Sequence, residues 1–152
     1  MSRFSLRVCC VIVNLDNPIL FFDGLCPFCN FTVRIVAKLD RKGSIFFSPI
    51  ESPTGQEVLA HHPEMRNVDS AFILYLDEQG NERLAAKSSM IKSLARFIAW
   101  PEKFLLTPFI VVPGKLGDWV YDIISKNRTR FTGRYDVCPI PPKEIRDRMI
   151  AS

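Results

Sequence analysis

The chain is poor in histidine, with only His61 and His62, and it has a single pair of cysteines three positions apart. A structural zinc site draws as a rule on a second closely spaced ligand pair. The other cysteines are the adjacent Cys9 and Cys10 and the distant Cys138, so no such pair exists and no metal is expected. Five cysteines at irregular spacing also fail to make the disulfide framework of a small secreted protein. Nothing approaches the ~20 apolar residues that cross a bilayer. The apolar run at residues 8–13, behind Arg3 and Arg7, is short and lacks a small-residue cleavage site, which argues against a signal peptide. Lys and Arg are dispersed rather than blocked and the net charge is only +4, so nucleic acid is not an expected partner. Repeats, low-complexity stretches and linkers are missing too. These absences leave one domain at residues 17–152 with an N-terminal extension at 1–16, expected in the reducing cytoplasm.

What is present centres on Phe21-Phe22-Asp23-Gly24-Leu25-Cys26-Pro27-Phe28-Cys29. Pro18-Ile19-Leu20-Phe21-Phe22 is an unbroken apolar run, suited to a strand buried on both faces. Asp23-Gly24 is turn chemistry. Phe28, Phe31, Ile35, Val36 and Leu39 then recur as the apolar face of a helix, with Asn30, Arg34, Lys38 and Arg41 opposite. Pro27 suits the first helical position, which puts Cys26 at or near the N-cap. There it faces unpaired N–H groups and the positive end of the helix dipole, which favour a thiolate. A nucleophilic Cys26 with Cys29 one turn away is the equipment of thiol–disulfide exchange, Cys29 resolving the mixed disulfide. Zinc held by Cys26, Cys29 and Cys138, or two buried apolar cysteines, are the alternatives.

Further along, Asp40-Arg41-Lys42-Gly43 ends the helix, Ser44-Ile45-Phe46-Phe47-Ser48 reads as a strand parallel to the first, and Ser52-Pro53 opens a helix. Residues 71–76 and 82–86 form a hairpin around Asp77-Glu78-Gln79-Gly80-Asn81. Ser88 or Ser89 is expected to cap a helix with Met90, Ile91, Leu94, Ala95 and Ile98 inward. The order β-α-β-α-β-β-α, with a dithiol opening the first helix, is that of the thioredoxin fold, here carrying an additional C-terminal helical segment. The apolar stretch at 104–113, broken by Pro108, is expected to be a hydrophobic loop over the core, or else a patch that docks on a membrane or partner. Residues 116–124 form an amphipathic helix with a cationic end at 125–130, where Arg128 and Arg130 are read as solvated. A last helix is expected at 143–150.

Phe22-Asp23-Gly24-Leu25-Cys26-Pro27-Phe28-Cys29, Lys87-Ser88-Ser89, Tyr121-Asp122 with Lys126-Asn127-Arg128, and Phe131-Thr132-Gly133 ahead of Cys138 together resemble the DCC family of thiol–disulfide oxidoreductases. The resemblance runs from about residue 18 to 150. It implies a thioredoxin-like fold with Asp23, Cys26 and Cys29 as the signature residues. Two places depart from the expected pattern. Thr129 stands where an aromatic residue usually follows the Asn-Arg pair, and residues 68–70 stand where thioredoxins and glutaredoxins place a cis-proline.

Asp23 is a candidate proton relay for Cys29, or simply a turn residue. Pro27 and Phe28 resemble the Cys-Pro-aromatic-Cys pattern of glutaredoxins and are candidate substrate contacts. Arg128, if not solvated, would steer an anionic partner such as glutathione or hold a thiolate. No cofactor is expected beyond the dithiol, with glutathione a candidate co-substrate. The expected partner is a disulfide-bearing protein or a low-molecular-weight thiol. The competing reading is a redox-sensing or docking module that does not turn over.

Overall fold

In a computed structural model of the chain, the described residues are 5–8, 11–14, 17–66, 71–137 and 139–150. Cys9, Cys10, Cys138 and the cis-proline position at 68–70 lie outside them, as does the side chain of Thr129. Strands β1 (Ser5–Val8) and β2 (Val11–Asn14) pair antiparallel as a small sheet of their own.

The main sheet has the order β4-β3-β5-β6, from β3 (Ile19–Phe22), β4 (Phe46–Pro49), β5 (Phe72–Leu76) and β6 (Glu82–Ala86). β3 runs parallel to β4 and antiparallel to β5, and β5 turns into β6 as the expected hairpin. All four residues of β3 are buried, because helices cover both faces of this central strand. Leu20 and Phe22 point to one side, into a core shared with α1 (Pro27–Leu39) and α3 (Lys87–Phe97). Ile19 and Phe21 point to the other, against Val58 and Leu59 of α2 (Pro53–His61), where Phe21 stacks on Phe72 at 4.9 Å. Ser52 caps α2 as its sequence suggests, its hydroxyl accepting the Gly55 N–H at 3.1 Å. This is a mixed α/β layer structure of thioredoxin-like type.

Several expectations are corrected. The buried stripe of α1 is Cys29, Val33 and Val36, whereas Phe28, Phe31 and Ile35 are exposed. The helix is rolled so that the dithiol's second sulfur, not the phenylalanines, meets the sheet. Neither Ser88 nor Ser89 is an N-cap, since α3 starts at Lys87 directly from β6 with no loop between them. Lys87 makes that corner at φ +53, a conformation that costs an ordinary side chain about 1 kcal/mol. Its ammonium in return lies 2.8 Å from Asp122. The stretch at 104–113 is not a loop: it forms a 3-10 turn (Glu102–Leu106) and α4 (Thr107–Val111). Pro108 sits in the first turn of α4, where its missing N–H is no loss, so the residue expected to interrupt a helix starts one. Leu106 packs on the core while Phe104 and Val111 are exposed.

The helix predicted at 116–124 is much longer, α5 (Gly114–Thr132), and takes in the cationic segment. It is clasped to α3: the Ser88 hydroxyl donates to Asp118 at 2.5 Å beside the Lys87–Asp122 pair. Gly117 permits the approach, since a Cβ there would lie 2.9 Å from that of Ser88. The final helix α6 covers only Lys143–Arg146, because the chain then turns and Met149 bridges alongside Phe47. Arg148 closes this end, donating to the buried Asp40 carboxylate and to the Ala37 carbonyl, both at 3.0 Å, at the C-terminus of α1.

Candidate active site

The turn between β3 and α1 is built from local hydrogen bonds. Asp23 Oδ1 accepts the Leu25 N–H at 3.0 Å, the Cys26 N–H reaches the Asp23 carbonyl at 3.3 Å, and Glu51 Oε2 accepts the Gly24 N–H at 3.2 Å. Asn30 folds back over the turn, its amide donating to the Gly24 and Cys26 carbonyls at 2.8 and 3.0 Å. These bonds fix the geometry of the helix start. Cys26 is the N-cap as predicted, and its Sγ accepts the Cys29 N–H at 3.3 Å. The sulfur thus answers a backbone donor that has no partner within the helix.

Cys26 and Cys29 are both free thiols, and both are buried, at 0% and 6% exposure. Arg128 comes to them from α5. Its Nη1 donates to Cys29 Sγ at 2.9 Å and its Nη2 lies 3.6 Å from Asp23 Oδ2. The solvated reading of this arginine is therefore wrong: α5 does not end before it, and the side chain is 7% exposed on the face turned to α1. Arg130 is exposed as expected. The Asp23 carboxylate contacts the Leu25 N–H and the Arg128 guanidinium, and its charge helps to raise the Cys29 thiol. Phe28 is exposed beside the dithiol, and Pro27 occupies the first turn of α1. Asn30 and Glu51 were missed by sequence reasoning. Helical periodicity puts Asn30 on the polar face, and the only hint of its part is that it directly follows Cys29.

Burial pushes the Cys29 thiol up to about 12, helped by its hydrogen bond to Cys26 and only partly opposed by Arg128. An unfolded chain releases this proton near the ordinary value of 9.0, while the folded chain holds it to about 12. The folded state then binds more protons across that window, so stability falls as pH rises through it. Urea unfolding of the reduced protein is expected to show this decline above about pH 9, and Cys29→Ala to flatten it. An equal slope in the variant would mean that Cys29 does not carry the effect.

Among the described residues no group of three or more His, Cys, Asp or Glu side chains could hold a metal ion. No helix among them is long and apolar enough to cross a membrane.

A thioredoxin-like sheet whose first long helix opens on a Cys-x-x-Cys dithiol defines the class, a thiol–disulfide oxidoreductase. The chain belongs to the DCC1-like thiol-disulfide oxidoreductase family, which it matches over residues 20–134. It is similar to the uncharacterized protein YuxK of Bacillus subtilis, with 31% identity over 137 residues covering 90% of this chain and 96% of the relative. It is also similar to a chloroplastic DCC family protein of Arabidopsis thaliana, with 29% identity over 124 residues covering 82% of this chain and 70% of that one. No solved structure matches it.

Proposed function

We propose that the protein reduces disulfides through the Cys26–Cys29 pair, with Cys26 as nucleophile and Cys29 as resolving thiol. The observation that carries this assignment is the unequal setting of the sulfurs: Cys26 caps a helix, while Cys29 is kept protonated by burial. In the first step the Cys26 thiolate attacks a substrate disulfide, forming the mixed disulfide and releasing one substrate thiolate. Cys29 then loses its proton, attacks Cys26 Sγ and expels the second substrate thiolate, leaving the Cys26–Cys29 disulfide. The substrate gains two electrons. Two molecules of a low-molecular-weight thiol such as glutathione restore the dithiol and leave as their own disulfide.

Arg128 supplies the positive charge that favours the Cys29 thiolate when it forms, and Asp23 is a positioning residue that shares this charge. Phe28, exposed beside the dithiol, is a contact for the substrate. The preferred substrate is a protein disulfide or a glutathione mixed disulfide, in a reducing compartment such as the cytoplasm. Burial of both sulfurs requires the surrounding segments to part before a protein disulfide can enter. The Tyr135 N–H, which holds the Leu25 carbonyl at 2.8 Å, ties one such segment to the turn before Cys26.

The experiment is a redox titration against glutathione, read by mass after alkylation. A reversible two-electron transition within the roughly −270 to −120 mV spanned by thioredoxin-like dithiols is expected. Absence of a Cys26–Cys29 disulfide across that range would reduce the cysteines to packing residues.

A second reading is favoured by the exposure of Phe104 and Val111, at 68% and 74%, beside the exposed Trp100. In it these residues dock the protein on a membrane surface or membrane protein, and the dithiol only reports redox state. Binding to vesicles independent of Cys26 would support it.

A further inference from the structure

A cavity of ≈ 310 Å³ lies between α1, α3, α5 and the sheet, with Cys29 in its wall and Cys26 outside the lining. Its volume falls at the lower bound of pockets that hold small organic molecules.

The distribution of its lining is directional. Cys29 and Leu39 both line it, so it runs along α1 over ten residue steps, about 15 Å. At the Cys29 end it meets Ser125 and Arg128 of α5. At the Leu39 end it meets Leu106, whose turn is held there by Arg41 lying 2.6 Å from Glu102. Such a volume over such a length has the mean cross-section of about one hydrocarbon chain, with an apolar lining and, at one end, the Arg128 guanidinium, whose charge is shared with Asp23. Phe28, Ile35 and Ile124 line the cavity and are also solvent-exposed, so its mouth opens between α1 and α5.

We propose that this cavity binds a single-chain amphiphile, a medium-chain carboxylate. Its polymethylene tail lies along α1 and its carboxylate sits at the Arg128 end over Cys29. The proposal stands on the cavity, and turnover at the dithiol is not required for it. Its functional consequence concerns the resolving sulfur: an occupied cavity covers Cys29, while Cys26 is not part of the lining.

The test is calorimetric titration of the reduced protein with saturated carboxylates from hexanoate to tetradecanoate, each below its micellar concentration. Affinity is expected to rise about fourfold per added methylene, the increment for burying one such group in an apolar site. The rise is expected to stop near dodecanoate, where the tail fills the cavity. Dodecanol is expected to bind at least tenfold more weakly than dodecanoate. Ile91→Trp, which fills the cavity from α3, is expected to weaken dodecanoate at least tenfold with an unchanged circular dichroism spectrum. Because that substitution can disturb the core, alkylation of Cys29 is also followed in the unsubstituted protein, where saturating dodecanoate is expected to slow it several-fold. No saturable binding, equal affinity for dodecanol, affinity still rising at tetradecanoate, or unprotected Cys29 would each overturn the proposal. The glutathione titration would be untouched by any of these, which keeps the two readings separable.

Discussion

Replacing Cys26 by serine is expected to bring disulfide reduction down to the uncatalysed background, while Cys29→Ser is expected to stop after one half-reaction. The second variant keeps the sulfur at the helix cap, so it still attacks. With no thiol to resolve the product, one substrate half stays bound per chain, seen as added mass that dithiothreitol removes. The asymmetry is the informative part, because a pair of equivalent thiols would give the same outcome for both variants. If both variants reduce substrate like the parent, catalysis lies elsewhere. If Cys26→Ser is the one that traps the substrate, the roles are reversed.

Arg128→Met is the second large effect. The guanidinium is buried between Cys29 and Asp23, so its loss strands a carboxylate and removes the one nearby charge that pulls the Cys29 thiol down. Stability is expected to fall by about 2 kcal/mol, typical for a hydrogen bond to a charged group with a partner left behind. The resolving step, which needs the Cys29 thiolate, is expected to slow, so the mixed disulfide lives longer and the pH profile of its resolution moves to higher pH. Arg128→Lys retains the charge without the forked donor geometry and is expected to recover part of the rate. A destabilised protein whose pH profile stays in place would assign Arg128 to packing alone.

The contrast between Cys26 and Arg128 shows where the sequence is readable. The N-cap position of Cys26 is decided within a few residues, by a buried strand, an Asp-Gly turn and a proline, and all of these act locally. The same holds for Ser52 and for the hairpin around Asp77. Arg128 meets Cys29 across 99 positions of chain, and whether it faces solvent or sulfur depends on how α5 packs. That packing is set by Ser88 with Asp118, Lys87 with Asp122, and the missing side chain of Gly117. Lys87, Ser88 and Asp122 were legible as parts of a family pattern. What they do was not, because a pattern along the chain does not say which of its members touch. The outward roll of Phe28, Phe31 and Ile35 was hidden for a related reason. Periodicity shows that a helix has an apolar side, while the sheet it lands on decides which part of that side is covered.

The helix bearing the dithiol is secured at its two ends by arginines from far downstream, Arg128 on Cys29 and Arg148 on Asp40, the latter 108 positions away. On the ribosome this has a cost in time. Both cysteines are synthesised well before Arg128, which lies against Cys29, and contacts so distant in sequence form late in folding. Until then the thiols of the nascent chain are open to oxidants and to foreign disulfides. The reactivity that the finished fold restrains is unguarded during its own synthesis.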